Sequence, residues 1–553
     1  MANERPGVTT RTIRMAPLGA LALVVMLLLA ACAPFGQTSQ PKGTPTQTPP
    51  PLPSVGAQSL DFPAVDPNYI YQQLFHMVTT YQRREAGYNT NPPGPKNGHD
   101  GFAQYWAQEM QRNLTGFGAT VRRDPFTGAG WTGRPAITPA VNVEVTVPGV
   151  THPEQEVVIG CHYDGEASST QSANDDASGC AIELGVAKAL GAYWRLHHLY
   201  SARTLRFVIF DAEEQGVFGS FHYLNSTING DTANVTAMFN EEQNGIAYPL
   251  RFLGKLSNPL LPLAIELPPL ASTQLYPTQS QLPASQLNTI TRFETEMRAA
   301  VPVVFAAFQQ LGFTSLTYWD ANGKGATQPV FSADQTNNIQ PQQDDLGGSD
   351  QIPFTLAGLP DATFVGNATY YDQNPPPWSY PFDQPQDTIQ LMNVFASGHS
   401  QQAQALTLAL GIPGMLTTAM LTQPDVLGYA QADGKPIAAI SDIGQTVAGQ
   451  PLALDAGAAY DPANPAGSAA ALTDSWSFGD GATASGVSVL HTYAQAGNYT
   501  LTLTVHSPQG ARVIRKTLVV ATQAPNYANP YAPYPQNGIP PSNPAVTLPT
   551  PQP

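Results

Sequence analysis

At 553 residues the chain is long enough for two to four domains, with 42% hydrophobic and only 12% charged residues. Lys and Arg number 24 against 40 Asp and Glu, a formal net charge of -16, which excludes the basic stripe of a nucleic-acid binder. Three cysteines exclude a disulfide scaffold, and 53 prolines with 47 glycines predict linkers and tails beside folded cores.

Arg5, Arg11 and Arg14 precede an apolar run, Leu18 to Ala31, that ends in Leu29-Ala30-Ala31-Cys32. A basic start, a short apolar stretch and small residues before a cleavage point read as a secretory signal. The run is shorter than the roughly 20 apolar residues that span a bilayer. Leu-Ala-Ala-Cys also resembles the bacterial lipobox, so residues 1–32 are expected to be a lipoprotein signal and Cys32 the lipidated anchor to the membrane; an uncleaved anchor is the alternative. Either reading places the rest outside the cytoplasm. Residues 33–60, rich in Pro, Thr, Gln and Ser, are expected to be a tether.

Helical spacing follows over Tyr69 to Tyr81 and Phe102 to Leu114, then a strand-like Ala119 to Phe126. Strand signals at Val141–Val147, Val157–Tyr163, Leu205–Phe210 and Ala237–Asn240 alternate with helical ones, first at Ser178–Tyr193 and later at Thr289–Leu311 and Leu391–Leu410. Such alternation predicts an α/β sandwich with a parallel or mixed sheet. Leu256 to Pro283, rich in Pro and Leu, reads as a surface insertion. After Gly411 the pattern changes, and an all-β unit starts near Pro436; the tail from about Gln523 is Pro-, Tyr- and Asn-rich.

Three polar clusters end predicted strands or open the helix that follows, where α/β folds build their sites. They are Gly160-Cys161-His162-Tyr163-Asp164, Asn174-Asp175-Asp176-Ala177-Ser178-Gly179 and Asp211-Ala212-Glu213-Glu214-Gln215-Gly216. A histidine with several carboxylates is a donor set that zinc accepts. In His162-x-Asp164 one side chain can bind metal while the other orients the imidazole through its second nitrogen. Adjacent Glu213 and Glu214 suit a division between proton transfer and ligation. Each cluster also has a plainer reading: Asp175-Asp176 as a helix cap, Glu213-Glu214 as solvated surface, His162 as a structural histidine. Their conjunction at the ends of apolar strands favours a site.

At these residues the chain resembles the zinc-dependent exopeptidases that include bacterial leucyl aminopeptidases and glutamate carboxypeptidases, a fold shared with glutaminyl cyclases. The resemblance runs from about Asp66 to Pro413 and continues in Asn240-Glu241-Glu242-Gln243-Asn244-Gly245 and in Gly348-Ser349-Asp350-Gln351-Ile352-Pro353-Phe354. It implies a three-layer α/β/α sandwich with a mixed sheet over residues 61–415, and two Zn2+ ions. His162 and Glu242 (with Glu241 as runner-up) would hold one zinc, Asp175 would bridge, and Glu214 would belong to the second. Glu213 would be the general base for a bridging water, and Asp164 would orient His162. Where the family places its last histidine ligand, this chain has Asp383, in Phe382-Asp383-Gln384-Pro385-Gln386-Asp387-Thr388. A carboxylate is an acceptable zinc ligand but shorter in reach, so the second site is expected to be weaker, altered or empty. His399, in the predicted final helix, offers no easy replacement. Asp387-Thr388 reads equally as a helix N-cap. Cys161 and Cys180 read as two buried thiols rather than as a disulfide.

Residues 416–435 are expected to be a linker, 436–522 a second domain and 523–553 a Pro-rich disordered tail. Trp476-Ser477-Phe478-Gly479-Asp480-Gly481 with the downstream strand Tyr499–Val505 resembles a PKD domain, an immunoglobulin-like β-sandwich for which polymer or protein contact is often proposed. The functional expectation is an extracytoplasmic, lipid-anchored zinc aminopeptidase acting on peptide substrates. The alternatives are a cell-surface binding protein on a degenerate peptidase scaffold and a single-metal enzyme like the glutaminyl cyclases.

Overall fold

The structure, a computed structural model, describes residues 52–56, 59–86, 98–128, 137–228, 232–246, 251–252, 255–256, 263–273, 275–319, 325–331, 339, 341–344, 348–366, 380–397, 404–441, 443–444, 446–462 and 472–523. The signal segment with Cys32, most of the tether, His399 and the tail from residue 524 lie outside them.

In chain order the first domain contains α1 (Pro67–Thr80), α2 (His99–Asn113), β1 (Thr120–Gly128), β2 (Ile137–Val147), β3 (His152–His162), α3 (Ala177–His197), β4 (Arg203–Phe210), α4 (Phe218–Ser226) and β5 (Val235–Glu242). There follow β6 (Ala264–Leu267), α5 (Ala284–Gln310), β7 (Pro341–Gln343), β8 (Asp361–Val365), α6 (Ile389–Ser397) and α7 (Gln404–Leu421). The strands form one mixed sheet in the order β1-β2-β4-β3-β5-β8-β6-β7. At its centre β4, β3, β5 and β8 run parallel to one another, while β4 is antiparallel to β2. They are buried along nearly their whole length, as strands covered on both faces must be.

Side-chain alternation along β3 sorts its residues between two cores. Val157, Ile159 and Cys161 join α1, α2, α3 and α7 on one face, while Val158 joins Tyr223 of α4 and Phe354 on the other. This is the three-layer sandwich. Helix α3 begins where the Asp176 side chain accepts from the Gly179 amide, and ends at His198 in the left-handed conformation (φ 55°).

Several expectations are corrected. Leu256–Pro283 is not simply a surface insertion, because its Ala264–Leu267 stretch is the buried strand β6, antiparallel to β8 and parallel to β7. Its four residues are too few to show a period between flanking prolines. The final helical signal is two helices, and α7 passes through Gly411 and Pro413 to Leu421. A Cβ at Gly411 would lie 2.6 Å from Pro67 Cγ, so that glycine permits close packing instead of ending the helix. Residues 416–421 are therefore helix and not linker. Helix α7 is long and apolar enough to cross a membrane, yet 94% of it is buried as a core helix. The end of the expected tether also packs: Leu52, Val55 and Leu60 rest on the core, and Asn68 Nδ2 donates to the Pro53 carbonyl at 3.1 Å.

Cys161 and Cys180, expected as free thiols, form a disulfide with Cα atoms 5.6 Å apart. They face each other across the β3–α3 interface, the penultimate residue of the strand opposite the first turn of the helix. Removing the bridge as Cys161→Ala/Cys180→Ala is expected to destabilise the domain by roughly 2–4 kcal/mol. Thermal unfolding with and without reductant checks this: the wild type should fall to the variant's midpoint on reduction, and the variant should not move.

The C-terminal unit has β9 (Leu452–Asp455), β10 (Thr473–Ser477), β11 (Thr483–Ser485), β12 (Ser488–His491), β13 (Gly497–Ser507) and β14 (Gly510–Ala521). β14, β13, β10 and β11 are neighbours in one sheet, and β9 pairs with β12 in the other. Between the sheets Trp476, Phe478, Tyr493, Leu501, Leu503 and Val505 form a core, so Trp476 is a packing residue as the β-sandwich reading requires.

Candidate metal centre

Parallel neighbours β4, β3 and β5 bring their C-terminal ends to one edge of the sheet. His162 ends β3, Glu213 and Glu214 follow β4, and Glu242 ends β5. Gly160 on β3 is in register with Asn240 on β5, which puts His162 beside Glu242, two residues further along both strands, on a shared face. Glu241 then faces the other way. Its oxygens accept from Thr417 Oγ1 at 2.8 Å and Asn244 Nδ2 at 3.2 Å, and burial raises its pKa to about 8.

His162 Nε2 lies 2.9 Å from Asp175 Oδ1 and 3.6 Å from Glu242 Oε2. Its Nδ1 is 3.5 Å from Asp164 Oδ1, on the opposite side of the ring. Asp164 is fully buried and accepts from the Glu213 and Glu214 amides at 3.1 and 3.3 Å, so the same carboxylate that backs the imidazole also fixes the Glu213-Glu214 turn. Two groups of potential ligand atoms lie within 4.8 Å of one another: His162, Asp175 and Glu214, and His162, Asp176 and Glu242. Asp383, at φ 60° in the loop before α6, lies beside Asp175 and Glu214, which bear on its pKa. The structure thus brings His162, Asp164, Asp175, Glu213, Glu214, Glu242 and Asp383 together, and sets Glu241 apart.

The electrostatics of this cluster are severe. Burial, followed by the charges of neighbouring carboxylates, pushes Asp176, Glu213, Glu214 and Asp383 well above the ordinary carboxylate range. Glu242 is raised to about 7 by burial and Asp175. Burial disfavours the His162 cation, but Asp164 and Asp175 outweigh it and raise that pKa well above its usual value. One imidazole cannot balance so many carboxylates. Asp176 Oδ2 is also buried without a hydrogen-bond partner. An oxygen-rich set with one nitrogen and an orphaned oxygen fits a divalent cation such as zinc.

Several positioning residues escaped the sequence reading. Asp387 is fully buried and accepts from the Asn174 and Asp175 amides at 2.9 and 3.1 Å and from Tyr380 Oη at 2.7 Å. It holds the Asp175 turn; the helix-capping role falls to Thr388, whose Oγ1 accepts from Leu391 N at 3.3 Å. Ser349 donates to Glu242 Oε2 at 2.7 Å and accepts from Asn240 Nδ2 at 3.0 Å. Asp350 is buried beside the cluster, with a pKa raised to about 7 by burial. Arg84 is buried and donates to the Tyr163, Gln171 and Ser172 carbonyls at 2.7, 2.7 and 2.9 Å, clamping the loop from β3 to α3. The Ser349-Asp350 pair stood in a recognised motif; Arg84 had no local signal at all.

Residues 142–258 match the profile of Peptidase family M28, and residues 433–522 match that of a PKD domain. The first match falls on the mixed α/β sheet and the second on the C-terminal β-sandwich. Among curated proteins, it is 38% identical over 82 residues to vacuolar protein sorting-associated protein 70 of Saccharomyces cerevisiae, covering 15% of this chain and 10% of that one. It is 34% identical over 106 residues to a probable zinc metalloprotease of Leptosphaeria maculans, covering 18% of this chain and 23% of that one. The chain thus spans less than a quarter of either relative. Among solved structures, it is 15% identical to the LapA aminopeptidase of Legionella pneumophila, over 65% of this chain and 71% of that one, with a TM-score of 0.38. Against Porphyromonas gingivalis glutaminyl cyclase it is 15% identical, over 65% and 98% of the two chains, with a TM-score of 0.40.

Proposed function

We propose that the chain is an extracytoplasmic zinc metallopeptidase that removes N-terminal residues from peptides, held at the membrane through a lipidated Cys32. The observation that carries the proposal is the convergence on His162 Nε2 of Asp175 and Glu242, with Glu214 and Asp383 beyond Asp175 and Asp164 behind the ring. His162 and Glu242 would hold one zinc, Glu214 and Asp383 the second, and Asp175 both. When bound, zinc supplies Lewis-acid polarisation of the scissile carbonyl and makes water a nucleophile near neutral pH. Asp164 keeps the imidazole in the orientation that leaves Nε2 free to ligate. Glu213, on the turn that Asp164 fixes, takes the proton from the attacking water and delivers it to the leaving amine. The Cys161–Cys180 disulfide supports a location outside the reducing cytoplasm.

The test is metal content by elemental mass spectrometry after zinc loading of the chain from Ala33 onward, read beside turnover of free-amino and N-acetylated peptides. About two zinc ions per chain, and cleavage of the free-amino peptide only, are expected. Asp383→Ala should then lose one ion selectively. One ion in the unmodified chain would favour the single-metal reading, for which the aspartate at position 383 is the motive, and none would favour a binding scaffold.

A further inference from the structure

At the end of β3 remote from His162, a second buried charge cluster spans three strands. Arg206 on β4 is in register with Val158 on β3 and Thr146 on β2, so Glu156 and Glu144, two residues away on their strands, share its face. Arg206 donates from Nε to Glu156 Oε2 at 2.9 Å and from Nη1 to Glu144 Oε1 at 2.7 Å. Tyr223 Oη donates to Glu144 Oε2 at 2.6 Å. The remaining cation comes from the other domain: Lys516 of β14 donates from Nζ to Glu156 Oε1. All four charged residues are buried, Lys516 being 8% exposed and Glu156 3%. Despite that burial, Arg206 and Lys516 hold the Glu156 carboxyl below its usual pKa.

Further contacts fix the same arrangement. A Cβ on Gly118 would lie 2.2 Å from the ring of Tyr460 in the C-terminal domain, so the two surfaces meet closely there. The connecting segment is secured at both ends. Thr236 Oγ1 donates to the Val426 carbonyl at 2.7 Å, Ala202 N to Gly428 O at 3.0 Å, and Tyr429 pairs with Ser201. Beyond it, Arg512 Nη2 donates to Asp433 Oδ1 at 2.7 Å and Nε to the Pro436 carbonyl at 3.3 Å.

We propose that the PKD domain is a fixed folding partner of the peptidase domain, docked through Lys516 onto the buried carboxylate of Glu156, and not a module free to swing on a linker. Without Lys516 the two buried carboxylates would share the single guanidinium of Arg206, and uncompensated buried charge is costly, so this end of the sheet depends on the second domain for charge balance. Glu156 is six steps along β3 from His162, about 20 Å at ~3.3 Å per residue, so the Lys516 contact lies far from the candidate metal centre. This inference does not depend on the peptidase reading.

The experiment is a double-mutant cycle on the chain from Ala33 onward, with Lys516→Met, Glu156→Gln and both, followed by calorimetry. The unmodified chain should unfold in one cooperative transition. Lys516→Met should lower its midpoint by roughly 3–5 °C, and adding Glu156→Gln should restore part of the loss. Two independent transitions in the unmodified chain, or strictly additive substitutions, would overturn the proposal. Should Lys516→Met fail to fold, spin labels at Val303→Cys and Leu490→Cys, 52% and 74% exposed, provide a second readout. A single narrow inter-label distance is expected by pulsed electron resonance, and a broad distribution refutes fixed docking.

Discussion

Replacing Glu213 by Gln should reduce turnover by about 10²–10⁴-fold while leaving metal content unchanged. The two outcomes separate because the role proposed for the residue is proton transfer and not ligation. Its amide is bound by Asp164, which sets the turn, whereas its carboxyl lies within electrostatic reach of His162, Glu242, Asp350 and Asp175. Burial and those carboxylates raise its pKa, and a bound cation would draw it back toward ionisation; a base poised between the two suits proton transfer near neutral pH. Glutamine keeps shape and hydrogen bonding but cannot take a proton. Full activity in the variant would refute the assignment, and lost metal would make Glu213 a ligand instead.

Asp175→Ala should have the larger effect on binding, weakening retention of both ions by more than about 100-fold, since loss of even an outer-shell partner commonly costs 10–100-fold. Asp175 stands between the groups, 2.9 Å from His162 Nε2 on one side and beside Asp383 on the other. Competition with a chromophoric chelator, read at two protein concentrations, measures both ions. Loss of only one would show that Asp175 does not bridge. Circular dichroism should stay native, because the turn carrying Asp175 is held by Asp387 through main-chain amides that alanine retains.

The candidate metal centre was legible because His162, Glu214 and Glu242 adjoin apolar strands and Asp175 opens a helix, so local pattern and chemistry coincide; Asp383 was reached only through the resemblance. The resemblance paired His162 with Glu242 and kept Glu241 as runner-up, and the structure separates Glu241 from them by strand alternation. What could not be read was whatever depends on a partner distant in sequence. Arg84 meets its carbonyl acceptors some eighty residues away. Asp387 looks like a cap until the Asn174 and Asp175 amides are seen against it. β6 is too short to announce itself, and Gly411 carries a helix-stop signal that tight packing against Pro67 overrides. Lys516 and Glu156 are 360 residues apart, and nothing local marks either as buried.

The Cys161–Cys180 bridge joins the residue preceding His162 to the helix turn that follows Asp175 and Asp176. A cation captured by those ligands and the covalent link beside them draw the same two segments together. By thermodynamic reciprocity, whatever factor the intact bridge adds to cation affinity, the bound cation must add to the bridge's resistance to thiol reductants. With a cation bound at the proposed site, redox state and metal loading would therefore be coupled properties of one latch.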